Sequence, residues 1–150
     1  MTVWIRVSRE ADHDQLLTIW RAAVESSHSF LTVADIDHYE KVVSRYLPQL
    51  RDVRVAVTGD DELVGFIAQD AGEIHMLFVA PSAQGGGVGS ALLDDVARGQ
   101  AVLQLDVNEQ NPMARAFYAS KGFEQVGRSE LDTEGRPFPL LHLRRIRPLR

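Results

Sequence analysis

A mixed α/β fold (an α+β mixed sheet), with one twisted sheet and helices on both faces, is predicted by three features of this 150-residue sequence. An apolar run from Ile74 to Val79 enters a glycine-crowded turn, and an amphipathic helix opens directly out of that turn. Three strand-like segments ending in that run follow one another with only short turns between them, the pattern of an antiparallel meander. Beyond the turn, helix-period and strand-like segments alternate, which requires a parallel crossover. The order is β-α-α-β-β-β-α-β-α-β-β over residues 1–150, read as one domain without internal repeat or linker.

Each element has its own signal. Val3, Ile5 and Val7 alternate with Trp4 and Arg6 as a first strand. Asp12 followed by Gln15 predicts a capping box for a helix whose apolar face is Leu16, Trp20, Ala23 and Val24. Ser27-His28-Ser29-Phe30-Leu31 interrupts the pattern, and Thr32 with Asp35 caps a second helix. Its apolar side is Ile36, Tyr39, Val43, Tyr46, Leu47 and Leu50, and Pro48 weakens its end. Val53, Val55 and Val57 alternate as a strand, Gly59 to Glu62 turns the chain, and Leu63 to Gln69 returns as a hairpin partner. A short turn at Ala71-Gly72 leads into the apolar run, which is expected to be buried on both faces.

The helix after the glycines carries Val88, Ala91, Leu92 and Val96 on one side, and Gly99 stands where a left-handed C-cap is expected. Ala101 to Val107 is the next strand. Asn111 then serves as N-cap and Pro112 as first residue of a helix holding Ala114, Phe117 and Tyr118, closed by Gly122. Glu124 to Leu131 and Phe138 to Ile146 form a last hairpin around Asp132 to Arg136.

Composition narrows the function. A formal net charge of −5 argues against a nucleic-acid surface. Arg144, Arg145, Arg147 and Arg150 make the one basic cluster, read as the solvated face and end of the last strand. With no cysteine there is no disulfide, thiol nucleophile or cysteine-based metal site. No stretch approaches a membrane span or the apolar core of a signal peptide, so a cytoplasmic location is expected. His13, His38 and His142 show no compact ligand spacing, so no metal is expected. Ser26, Ser27 and Ser29 near His28 lack the G-x-S-x-G elbow of a hydrolase.

The glycines at 85, 86, 87 and 89 remove every Cβ where strand and helix meet. An anion could then reach the free N–H groups of the helix N-terminus, where the dipole also favours negative charge. A phosphate or pyrophosphate is the ligand class this favours; the plain alternative is a flexible glycine turn. No Gly-Lys-Ser or Gly-Lys-Thr follows, and the spacing Gln84-x-x-Gly87-x-Gly89 is not that of a dinucleotide fingerprint.

That spacing resembles the Gln/Arg-x-x-Gly-x-Gly/Ala segment of the GNAT N-acetyltransferases. A second match is Asn111-x-x-Ala114-x-x-Phe117-Tyr118-x-x-x-Gly122-Phe123, similar to the family's other signature, and the resemblance covers essentially the whole chain. His28-Ser29-Phe30-Leu31-Thr32, Val107 to Asn111, Gly127 to Glu130 and Pro139-Leu140-Leu141 resemble, more narrowly, the small bacterial YjaB-type acetyltransferases.

The resemblance implies the GNAT (acyl-CoA N-acyltransferase) fold and an enzyme using acetyl-CoA as co-substrate to acetylate a primary amine, on a small molecule or peptide. It implies a cofactor site formed by Phe78, Val79, Gln84, Gly85, Gly86, Gly87, Val88, Gly89, Ser90, Asn111, Ala114, Phe117 and Tyr118. The Val79 backbone would pair with the pantetheine arm, Gln84 to Gly89 would take the pyrophosphate, and Asn111 would touch the arm. Tyr118 would protonate the departing thiolate; the alternative is a core tyrosine beside Phe117.

An amine is mostly protonated at neutral pH, so a base or a chain of waters is needed. Glu73 and His75, two residues apart on the central strand, are expected on one side of it and are the base candidates, or else polar groups beside the cleft. His28, in the break between the first two helices, borders the acceptor site by resemblance and would contact substrate or relay a proton; otherwise it is a loop histidine. Phe30 and Leu31 would wall the acceptor pocket or staple the following helix. Direct transfer in a ternary complex is expected, because no cysteine can carry the acyl group. The competing class is a non-catalytic acyl-CoA-binding module. A toxin acting on aminoacyl-tRNA is disfavoured by the charge. Neither nucleic acid nor membrane is an expected partner, and the resemblance leaves a homodimer open.

Overall fold

The computed structural model describes residues 2–147, so Arg150 of the basic cluster lies outside the described residues. Seven strands form one sheet: β1 (Trp4–Val7), β2 (Asp52–Val57), β3 (Leu63–Asp70), β4 (Glu73–Val79), β5 (Val102–Asn108), β6 (Glu124–Ser129) and β7 (Leu140–Ile146), in the spatial order β1-β2-β3-β4-β5-β7-β6. The helices are α1 (His13–Ser27), α2 (Val33–Tyr46), α3 (Val88–Ala97) and α4 (Pro112–Ser120). The element order is the one the sequence predicts.

The sheet divides two cores. Leu16, Trp20, Ile36 and Val43 of α1 and α2 pack with Val53, Val55 and Phe66 on one face. Val88, Leu92, Leu93 and Val96 of α3 pack with Ile67, Leu103, Leu105 and Tyr118 on the other. Leu93 joins the apolar face the sequence assigned to α3, while Ala91 is only half buried. β3 is covered from Leu63 to Gln69, as a strand between two helical layers must be. Each fully buried side chain such as Leu16 or Phe66 contributes roughly 1.5–3 kcal/mol of apolar transfer free energy.

Several local expectations change in three dimensions. Asp12 does not cap α1: its carboxylate accepts from both Arg6 guanidinium nitrogens (2.8 and 3.2 Å) and from the Arg9 N–H (2.8 Å), tying β1 to the turn before α1. Thr32 and Asp35 do form the capping box of α2, and Pro48 converts the end of that helix into a 3-10 turn. Gly99 is not left-handed; α3 ends on Arg98 in ordinary helical conformation. Gly122 is left-handed, at φ +88°, and closes α4. Ala71 and Gly72 both have positive φ, and a Cβ on Gly72 would stand 2.2 Å from the Val102 carbonyl, so only glycine fits that turn. The last hairpin is shorter than its apolar pattern: β6 stops at Ser129 and β7 starts at Leu140. Asp132 organises the loop between them by accepting from the Glu134 and Arg136 N–H groups (both 2.9 Å).

The largest departure is β4. A bulge at His75 lets Gln69 face Ile74 while Ala68 faces Met76, so Ile74 and Met76 enter opposite cores. Leu77, Phe78 and Val79 are only half buried, against the expected burial on both faces. The reason is the neighbour on the far side. Among the described residues β4 and β5 are the one parallel pair, and they are in register only at Glu73–Gln104 and Ile74–Leu105. Past that point the strands part. β3 still pairs with β4 up to Val79, so the other edge of β4 from Met76 onward opens into a cleft.

Candidate active site

The fork between β4 and β5 leads to the glycine loop. After Val79 the chain makes a 3-10 turn over Pro81–Ala83, and Gln84 is extended. Gly85 and Gly87 then adopt φ of +81° and +80°, with Gly87 as the N-cap of α3. These backbone angles explain the glycines: another residue would be strained there. A Cβ on either would meet nothing within 4 Å, so the space over the loop is open. No side chain caps α3, which leaves its first-turn N–H groups without a side-chain acceptor. Gly65 seats this helix: a Cβ there would lie 3.0 Å from Val88 and 3.1 Å from the Phe78 carbonyl. The donors and the open space fit a diphosphate, and the free edge of β4 fits an extended, amide-bearing chain.

The cleft has a volume of about 380 Å³. One wall is α4. The Asn111 side chain accepts from the Ala114 N–H (3.2 Å), and Pro112 follows at the first helical position, as the sequence predicts. Tyr118 is buried with its ring edge-on to Phe117 and Phe123, at centroid distances of 5.2 and 5.5 Å. Its hydroxyl has no hydrogen-bond partner among the described residues, where no fully buried side-chain polar atom lacks one. The hydroxyl therefore reaches the solvent of the cleft that Tyr118 lines. Burial pushes its pKa up, so the phenol stays protonated at neutral pH.

The opposite wall is the end of α1, with Ala23, Ser27 and His28. The Ser27 hydroxyl donates to the Ala23 carbonyl (2.8 Å) and lies 2.7 Å from His28 Nδ1. His28 is 9% exposed, and burial lowers its pKa.

Of the residues expected at the cofactor, Phe78, Val79, Gln84, Gly85, Gly87, Val88, Gly89, Ser90, Asn111, Ala114, Phe117 and Tyr118 all line this cleft; Gly86 belongs to the loop but not to the lining. His28 lines it as well. Phe30 and Leu31 stand behind it: the Phe30 ring lies between His28 (5.3 Å) and Phe138 (5.7 Å), and Leu31 packs on the α1–α2 core.

Glu73 and His75 do not line the cleft. Glu73 is exposed at the start of β4, about 20 Å up the strand from Val79 at 3.3 Å per residue. His75 occupies the bulge, with its ring edge-on to Tyr46 at 6.0 Å.

Reading the sequence missed Ala23, Ser27, Leu77, Ala83 and Met113. Leu77 was accessible through its strand alternation with Val79, and Ser27 through its helical spacing from Ala23. Also missed are the contacts that hold the β6–β7 loop over α2. Tyr39 donates to Asp132, Arg136 pairs with Asp35 (3.0 Å), and His38 meets Glu134 (3.2 Å). A hydrogen-bonded row, Asp106–His142–Ser129, crosses β5, β7 and β6 at 2.5 and 2.7 Å. Gly127 makes room for it, since a Cβ there would be 3.1 Å from the His142 ring.

A sheet that forks at a parallel pair, with a glycine-lined helix N-terminus at the fork, defines a ligand crevice outside the carboxyl ends of those strands. The family model described as "Acetyltransferase (GNAT) domain" matches residues 20–139, and the chain belongs to that family. Among its relatives is the peptidyl-lysine N-acetyltransferase YjaB of Salmonella typhimurium, 40% identical over 143 residues, covering 95% of this chain and 98% of that protein. The solution structure of the apo form of YjaB from Escherichia coli superposes with a TM-score of 0.91 at 36% identity, covering 99% of this chain and 100% of that one. A PaiA N-acetyltransferase from Thermoplasma acidophilum, solved in complex with coenzyme A, shares the fold at 19% identity, with a TM-score of 0.77 over 97% of this chain and 99% of that one. The chain thus closely resembles the YjaB-type acetyltransferases within its family.

Proposed function

We propose that this protein transfers the acetyl group of acetyl-CoA directly to a primary amine within a ternary complex. The observation that carries the reading is the convergence at one cleft of the free β4 edge, the open glycine loop and the Tyr118 hydroxyl. Acetyl-CoA supplies the activated thioester. The residues of the chain do the rest. N–H groups from Gly85 through Ser90 hold the diphosphate, and the β4 edge at Phe78 and Val79 aligns the arm as an added strand would. Asn111, Ala114 and Phe117 border the arm on the α4 side. Tyr118 Oη hydrogen-bonds to sulfur and gives it a proton as the C–S bond breaks, a role suited to a phenol kept neutral by burial.

The acceptor we favour is a lysine side chain of a peptide, since the YjaB relative is named for that substrate. Behind His28, the rings of Phe30 and Phe138 back this side of the cleft with apolar surface.

Isothermal titration of acetyl-CoA and CoA, followed by thiol-release assays with lysine peptides and small amines, tests the proposal. Binding with turnover on an amine is expected. Binding without turnover on any acceptor would make the protein an acyl-CoA-binding module, and no binding would overturn the reading of the glycine loop.

A further inference from the structure

We infer that His28 is the general base that deprotonates the acceptor amine, with Ser27 as the positioning residue that fixes its tautomer. The inference rests on the proposed acetyl transfer and replaces Glu73 and His75, which lie off the cleft.

The hydrogen bonds point to Nε2 as the free ring nitrogen. The Ser27 hydroxyl is directed at the Ala23 carbonyl one helical turn back, a group that only accepts, and its single hydrogen is assigned there. At its 2.7 Å contact with His28 Nδ1, Ser27 Oγ can then only accept. Nδ1 therefore carries the hydrogen, and Nε2 presents a lone pair. Nε2 has no hydrogen-bond partner among the described residues, where no fully buried polar side-chain atom is unpaired. It is therefore open to solvent, and the space that His28 borders is the cleft.

The ring is also held in place. The His28 N–H donates to the Val24 carbonyl (2.8 Å), its own carbonyl accepts from Leu31 (3.0 Å), and Phe30 packs on its ring. Burial alone favours the neutral imidazole, which is the form a base needs. Tyr118 stands on the α4 wall of the same cleft, so an acceptor and a donor of protons face one space from opposite sides.

The proton balance closes. His28 Nε2 takes a proton from the ammonium, R–NH3+, leaving R–NH2. The nitrogen lone pair forms the C–N bond to the thioester carbonyl, the C–S bond breaks, and its electron pair goes to sulfur. Tyr118 protonates that sulfur and regains a proton from the nitrogen as the amide forms. His28 then releases its proton to water, so R–NH3+ and acetyl-CoA give the acetamide, CoA and one H+.

Two measurements decide the matter. In the acetyl-CoA-free protein, long-range 1H–15N NMR of the imidazole should show hydrogen on Nδ1 and a bare Nε2, and Ser27→Ala should disturb that preference. An Nε2–H tautomer in the wild type would overturn the inference. His28→Gln should bind acetyl-CoA within about twofold of wild type, which also reports that the fold is intact. It should acetylate a lysine peptide at least about 100-fold more slowly at pH 7 and lose the acidic limb of the kcat/KM profile. A variant within tenfold of wild type, with that limb unchanged, would remove His28 from catalysis. Wild-type protein that binds acetyl-CoA but acetylates no amine would instead overturn the acetyl transfer itself, before any variant is made.

Discussion

The two walls of the cleft differ in how they are built. The α3–α4 wall is assembled from one stretch of chain, residues 84–118, and presents mostly backbone: glycines at φ near +80°, uncapped helix N–H groups and one phenol. The α1 wall is carried by side chains, Ser27 and His28, and is backed by a loop from the other end of the sequence through Tyr39–Asp132, Arg136–Asp35 and His38–Glu134. A backbone site tolerates change in many side chains but not in glycine conformation, whereas a side-chain site depends on each group and its partner. One wall suits a fixed ligand, the other a reacting and variable one.

Substitutions on each wall can break or sharpen this division. The largest effect is expected from Tyr118→Phe, which should lower kcat by about 10²–10⁴ while acetyl-CoA affinity by calorimetry barely moves; comparable turnover would return Tyr118 to a packing role. Gly87→Glu should weaken CoA binding by roughly 100-fold, through lost amide approach and like charge. Its Cβ enters open space, so the cost to folding is confined to about 1–2 kcal/mol for the left-handed backbone, read from chemical denaturation. Unchanged affinity would separate the loop from phosphate binding.

At the far end of α1 from the cleft, Asp12→Asn should cost about 2 kcal/mol of stability at pH 7, because Arg6 and the Arg9 N–H lose a charged acceptor. The Arg6 guanidinium, more than any other neighbour, holds this carboxyl below its usual value near 4. Its contribution is therefore present above that pH and lost as the pH falls through the lowered value, so wild type and variant should converge in acid denaturation. The smallest effects are at the helix caps. Thr32→Ala and Asn111→Ala should each cost about 1 kcal/mol, but only Asn111→Ala should also weaken CoA binding. Equal losses of CoA affinity in both would blur the distinction between the walls.

The same contrast explains what could be read in the sequence. The glycine loop, Asn111, Pro112 and Tyr118 sit at short, fixed spacings whose physical reasons are local: a left-handed turn, a cap, a helix period. Apart from Gly86 and Pro112, they line the cleft. The tautomer of His28 depends on where one serine hydroxyl points, and the β6–β7 loop reaches α2 across some ninety residues. Neither leaves a periodic trace. The bulge at His75 and the early separation of β4 from β5 defeated simple alternation in the same way. An apolar run looks equally buried whether it faces a helix or a cleft.

The clasp between α2 and the β6–β7 loop also bears on how such proteins diversify. Its ion pair, its histidine–glutamate contact and its tyrosine contact join residues 35–39 to residues 132–136, and none of these residues lines the cleft or belongs to the glycine loop. Two short surface segments can therefore be rewritten together while the residues that line the cleft stay untouched. The joint between the two ends of the chain is thus free to drift as a pair of matched surfaces, each change on one side answered on the other.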